Sequence, residues 1–214
     1  MAGVLAVVRP HMNGIGGDAF GIFYDGETGE VTALNASGRA GALATPEFFV
    51  AAGLDRIPGA GPLSVSVPGA VAGWVDAHER YGSMDFADLL ETGIDYARNG
   101  FAVSTRLAQD FEEQGANLNQ AGLDLYLPNA AAPPVGSLLR NPALADSLQI
   151  VATEGKEGFY QGDIAKRLSA FITEQGGYLR PEDFANHTSN WVTPLRGDYP
   201  VSYTHLTLPT NREE

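Results

Sequence analysis

Arg39 is the residue whose neighbours best fit it to grip a ligand. It stands in Asn35-Ala36-Ser37-Gly38-Arg39-Ala40-Gly41, a small-residue stretch directly after a β-rich run. A guanidinium presented there offers a carboxylate two parallel hydrogen bonds. The competing reading is a solvated arginine in a polar loop. Asn35 and Ser37 either support the same ligand or bond their own loop's backbone. A second group of chemistry-bearing residues is the run His11-Met12-Asn13-Gly14-Ile15-Gly16-Gly17-Asp18. Three glycines in four positions predict backbone at positive φ, or pressed close to another segment or a ligand. Asp18 either orients a nucleophile or, with more weight, holds a loop. The run does not have the G-x-G-x-x-G form that opens a helix, which argues against a dinucleotide loop.

The remaining candidates read as structural. His78 falls on the apolar face of a helical segment, where a satisfied core or edge histidine is expected, and His11 is more structural than catalytic. Asp183, His187 and Ser189 lie within one turn region, whereas the members of a catalytic triad usually converge from distant parts of a chain. Glu112-Glu113 and Glu182-Asp183 read as solvated faces or helix-start charges. No G-x-S-x-G elbow is present. The four histidines show no metal-ligand spacing, and the chain has no cysteine. Disulfides, thiolate chemistry and cysteine-held metals are therefore excluded, and neither a metal nor a cofactor is expected. A formal charge of −13 argues against nucleic acid and anionic membrane surfaces as partners. Residues 2–8 are apolar but end at Arg9-Pro10 and follow no basic segment. They read as a buried segment cut short at its front, with the native N-terminus further upstream, rather than as a signal peptide. These residues do not fix a compartment, the cytoplasm being slightly favoured.

The elements that must position these residues form an α+β series. Ala19–Tyr24 and Val31–Asn35 flank Asp25-Gly26-Glu27-Thr28-Gly29-Glu30, which reads as a hairpin. Thr45 caps a short helix with Pro46 at its first position. Pro68 is expected to open a helix carrying Val71, Trp74, Val75, His78 and Tyr81 on one face, closed by Gly82. Asp85 or Ser83 starts the next, which Gly100 stops, and Ser104 starts a third. Helices over 142–154 and 163–175 follow a loose stretch at 127–136, then a helical turn at 181–184. Extended structure returns at Trp191-Val192-Thr193. Two strands do not make a stable sheet, so further strands must join them.

Several segments, in order, resemble the large-subunit region of the γ-glutamyltranspeptidase family: Asn13-Gly14-Ile15-Gly16-Gly17-Asp18-Ala19-Phe20, Leu34-Asn35-Ala36-Ser37-Gly38-Arg39-Ala40, Ser66-Val67-Pro68-Gly69-Ala70-Val71-Ala72-Gly73-Trp74, Ala97-Arg98-Asn99-Gly100-Phe101, Gly158-Phe159-Tyr160-Gln161-Gly162 and Trp191-Val192-Thr193-Pro194-Leu195-Arg196-Gly197-Asp198-Tyr199. The resemblance covers residues 3–199. It implies the helix-rich part of an αββα N-terminal-nucleophile hydrolase with an incomplete sheet. Such proteins self-cleave, and the new N-terminal threonine attacks an amide to form an acyl-enzyme. In the family that threonine lies well beyond the position of Tyr199, on a small subunit. This chain is thus expected to hold no catalytic residue, and to contribute Arg39, Ser37 and Asn35 to a site for a small amide or γ-glutamyl substrate.

Two departures stand out. Glutamyl-transferring members carry the carboxylate-gripping arginine in an R-E-x-A-P pattern. Matching Ala40 to that alanine puts Ser37 in the arginine's place and Arg39 two positions later, a form similar to the amidohydrolase-like branch. Residues 200–214 leave the family pattern and read as a non-native tail. The rival reading is a standalone domain that captures a small carboxylate without catalysis.

Overall fold

A computed structural model describes residues 1–199 and 203–207 of the 214. The hairpin forms as its turn chemistry predicts. Strands β1 (Ala19–Tyr24) and β2 (Val31–Ala36) pair antiparallel. The Asp25 carboxylate accepts the N–H groups of Glu27 and Thr28, while Gly29 takes φ +72°. That local network holds the Asp25 carboxyl below its ordinary pKa. The third strand comes from far along the chain. Asn190–Val192 pairs antiparallel with the other edge of β2, placing Asn35 opposite Asn190 and Leu34 opposite Trp191. We number this strand β5, after two short strands, β3 (Phe101–Ala102) and β4 (Leu138–Leu139), that pair with each other.

One face of the sheet is covered by helix α3 (Ala70–Tyr81), following α1 (Ala2–Val8) and α2 (Pro46–Ala51). Gly73 lets α3 approach, since a Cβ there would lie 2.7 Å from the Cβ of Ala36 and 3.1 Å from that of Ala19. Helix α4 (Phe86–Asn99) packs on α1 and on α7 (Pro142–Tyr160), with Asp85 as its cap and Gly100 as its stop at φ +101°. Ser104 caps α5 (Thr105–Gln114), its Oγ accepting the Leu107 N–H at 3.2 Å. The sequence gives no sign of α6 (Gln120–Tyr126), which has no buried residue. Helices α8 (Asp163–Glu174) and α9 (Pro181–Ala185) complete the helical layer. The main core joins Val67, Val71, Val151, Phe159, Leu179 and Phe184, each at most 1% exposed.

Three expectations need correction. Pro68 does not occupy the first helical position: α3 begins at Ala70 with Gly69 as its cap. The reason is tertiary, because the Pro68 carbonyl is bonded by the Tyr160 hydroxyl, and the N–H groups of Gly69 and Ala70 donate to the Gly17 carbonyl. The helix expected over 142–154 continues to Tyr160 through a break at Gly155, whose φ of +59° ends the first stretch. The glycine run shows neither positive φ nor close approach at Gly14, Gly16 or Gly17, and nothing lies within 4 Å of a Cβ built on Gly16 or Gly17.

Beyond β5, β6 (Leu195–Tyr199) pairs antiparallel with β7 (Tyr203–Thr207). Of the expected tail at 200–214, residues 200–202 and 208–214 lie outside the described residues. Among the described residues no helix is long and apolar enough to cross a membrane.

Candidate functional site

The site is built where β2 ends. Asn35, still in the ladder, accepts the Ser37 N–H on its Oδ1 at 2.9 Å and so turns the chain out of the strand. Gly38 then donates its N–H to Asp18 Oδ1 at 2.6 Å, and the Arg39 carbonyl accepts the Val67 N–H at 2.9 Å. Two glycines let the layers touch. A Cβ on Gly38 would strike the Val67 carbonyl oxygen and Ser66 Oγ, and one on Gly69 would strike the Ala36 carbonyl. Here glycine is needed for close approach, which the glycine run itself does not require.

This scaffold leaves the Arg39 side chain exposed, with Nη2 donating to Asn190 Oδ1 at 3.3 Å. Asn190 is the register partner of Asn35. Arg39 and Asn35 are therefore brought together at one end of the sheet. Ser37 is there too, its backbone N–H bonded to Asn35. The neutral Asn190 contact orients the guanidinium without neutralising it, leaving donors for a carboxylate. Asn190 had no distinguishing signal in the sequence, because only the pairing of β5 with β2 brings it to Arg39.

A supporting layer lies beneath. The Tyr160 hydroxyl donates to the Pro68 carbonyl at 2.7 Å and accepts the Ala72 N–H at 3.0 Å. Its burial pushes the phenol well above its ordinary pKa. His187 stacks on Tyr160 with ring centroids 5.2 Å apart, and neither of its ring nitrogens has a partner among the described residues. Burial, then the nearby Arg39 charge, lowers the His187 pKa, against smaller opposing effects of Asp18 and Asp76. Asp76 on α3 accepts Lys156 Nζ at 2.6 Å and the Ser189 hydroxyl, tying α3, the end of α7 and the approach to β5 together.

The clustered trio 183, 187 and 189 does not assemble. Asp183 is spent on the N–H groups of Ala42 and Arg180, both at 2.8 Å, and Ser189 on Asp76. His78 donates from Nε2 to the Met84 carbonyl oxygen at 2.7 Å and packs on Phe86, an edge histidine. Asp18 holds the Gly38 loop, as its weightier reading expects.

A three-stranded antiparallel sheet with helices on one face is an α+β part of a layered N-terminal-nucleophile hydrolase. The chain belongs to the γ-glutamyltranspeptidase family, whose sequence pattern matches residues 1–213. It is 35% identical over 212 residues to the glutathione hydrolase-like YwrD proenzyme of Bacillus subtilis, covering 98% of this chain and 40% of the relative. It is 37% identical over 202 residues to the oxamate amidohydrolase proenzyme of Klebsiella pneumoniae, covering 91% and 38%. Among solved structures, the γ-glutamyltranspeptidase of Helicobacter pylori superimposes with a TM-score of 0.90 at 28% identity, covering 99% of this chain and 62% of that one. The chain thus spans about two fifths of the length of these two curated relatives.

Proposed function

We propose that this chain forms the substrate-gripping wall of an amide hydrolase or acyltransferase, with the nucleophilic threonine outside these 214 residues. Alone it is inactive. Arg39 binds a carboxylate of the substrate, Asn35 and Asn190 position the loop and the guanidinium, and Ser37 flanks them. The observation carrying this reading is the exposed Arg39 side chain, held by a neutral partner on a loop clamped at Asp18 and Val67. The names of the two curated relatives fit hydrolysis of amide or γ-glutamyl bonds, and both are called proenzymes. The outer face of the sheet also fits. Phe20, Ile22 and Tyr24 are 54%, 40% and 70% exposed there, as an apolar face awaiting a second sheet would be.

The test has two parts. The isolated chain, given γ-glutamyl-p-nitroanilide, releases no nitroaniline; turnover overturns the missing nucleophile. In the parent enzyme, with this chain restored to its full coding sequence, Arg39→Ala raises KM by about one to two orders of magnitude, as loss of a charged hydrogen bond predicts. An unchanged KM removes Arg39 from the site.

A further inference from the structure

Asn190 holds the Arg39 guanidinium from the first position of a strand that is itself thinly held. β5 (Asn190–Val192) is three residues long, pairs with β2 and lies at the edge of the sheet. The first residue of so short an edge strand frays unless something else ties it down. Its neighbours on either side do so. Trp191 reaches α3, where its ring meets that of Tyr81 at 5.7 Å between centroids and lies 4.4 Å from the Arg80 guanidinium. Ser189 also reaches α3, where its hydroxyl donates to Asp76 Oδ2. Side chains alternate along extended backbone. With Ser189 and Trp191 both turned to the helix, Asn190 is turned away from it, toward Arg39 Nη2.

The Asp76 carboxylate is fixed from its other side. Its side chain is 16% exposed, and Oδ1 accepts Lys156 Nζ at 2.6 Å. A lysine placed directly after the Gly155 break in α7 thus holds one oxygen, and Ser189 takes the other. With both oxygens engaged, the carboxylate cannot rotate without losing a charge-assisted hydrogen bond. Trp191 keeps the strand against α3, and Ser189 sets the side from which Asn190 enters it.

We propose that Ser189, held by Asp76, is a positioning residue for the Arg39 site, fixing Asn190 so that the guanidinium keeps one orientation toward its ligand. The kinetic consequence rests on the reading of Arg39 as the carboxylate grip; the orientation of the guanidinium does not.

The first measurement needs no substrate. In the full chain with arginine labelled with nitrogen-15, the Arg39 Nε–H signal is assigned by its loss in Arg39→Lys. Its order parameter falls in Ser189→Ala about as far as in Asn190→Ala, and Ser189→Thr, which keeps the hydroxyl, restores it. The second measurement uses the parent enzyme with its full coding sequence. Ser189→Ala raises KM about three- to tenfold, the size of one net hydrogen bond, and leaves kcat within about twofold. Added to Arg39→Ala, it raises KM no further. An Arg39 signal as ordered in Ser189→Ala as in the parent overturns the proposal, and so does a loss of order that Ser189→Thr fails to reverse. A KM rise that persists in the Arg39→Ala background overturns it too, as does an unchanged KM in Ser189→Ala where Arg39→Ala raises it. If order is lost while KM is unchanged in both Ser189→Ala and Arg39→Ala, the positioning stands and the carboxylate reading of Arg39 falls.

Discussion

Gly69→Ala tests the central geometric claim, that the Arg39 loop is placed by direct backbone contact with the start of α3. A Cβ at position 69 would press on the Ala36 carbonyl oxygen, 2.8 Å from its carbonyl carbon and 3.1 Å from that of Ser37. Ordinary contact begins at 3.4 Å, and the atoms in the way are backbone at the end of a strand paired on both sides. No flexible side chain can swing aside. Position 69 is also pinned from below, through the Tyr160 hydroxyl on Pro68 and the Gly17 carbonyl on the Gly69 N–H. Overpacking into rigid surroundings costs about 1–3 kcal/mol, and this site belongs at the upper end. For a chain of this size, about 3 kcal/mol lowers the melting temperature by roughly 6–12 °C. The measurement is thermal unfolding of the isolated chain, with Gly17→Ala as the control. Gly17 lies in open space and has no positive φ, so its substitution changes stability by about 0.5 kcal/mol or less. The reasoning is refuted by a Gly69→Ala protein that melts within about 2 °C of the parent, or by a Gly17→Ala protein that loses as much as Gly69→Ala.

Tyr160→Phe leaves the buried Pro68 carbonyl and Ala72 N–H without their partner; it should cost about 1–3 kcal/mol, read as a lower urea midpoint with an unchanged slope. His187 gives a pH dependence. Its ring is pushed below the ordinary value of 6.5, by burial first and the Arg39 charge second, so the unfolded chain binds its proton more readily than the folded one. Stability contributed by the neutral ring is complete above pH 6.5 and declines as pH falls from there toward the lower folded pKa. His187→Phe, which keeps an aromatic ring against Tyr160, should flatten that decline in denaturation midpoints measured between about pH 7 and 5; an unchanged slope refutes the assignment.

Where one residue's chemistry acts on its immediate neighbours, the sequence was readable. Thr45, Asp85 and Ser104 each accept an N–H two or three residues on, and each marks its helix start. Asp25 and Gly29 likewise build the hairpin turn within six residues. The resemblance to the family supplied the layered fold and pointed to the loop after β2. What stayed hidden needed a partner from elsewhere. Asn190 is 151 residues from Arg39 in the chain, and its strand is only three residues long, too short for alternation to announce which side chains share a face. Pro68 looks like a helix start because its fixed φ suits one, yet its carbonyl is taken by Tyr160, and the helix begins two residues later.

The glycines show why density is a poor guide to need. The cluster at 14, 16 and 17 draws the eye, but the structure asks for no missing Cβ there to relieve a contact. Two glycines that close approach does require at this loop, Gly38 and Gly69, stand singly among ordinary residues. Glycine's local property is its freedom of φ, and that can be guessed from a run. Its other property is the volume it leaves empty, and this has meaning only once the surface opposite is known. At Gly38 and Gly69 that surface is backbone, and substitution displaces the Arg39 loop; at Gly16 and Gly17 it is the open cavity beside His11 and Asp18. One absent methyl group thus brings two chain segments together beneath the Arg39 loop, whereas at the glycine run the same absence relieves no contact.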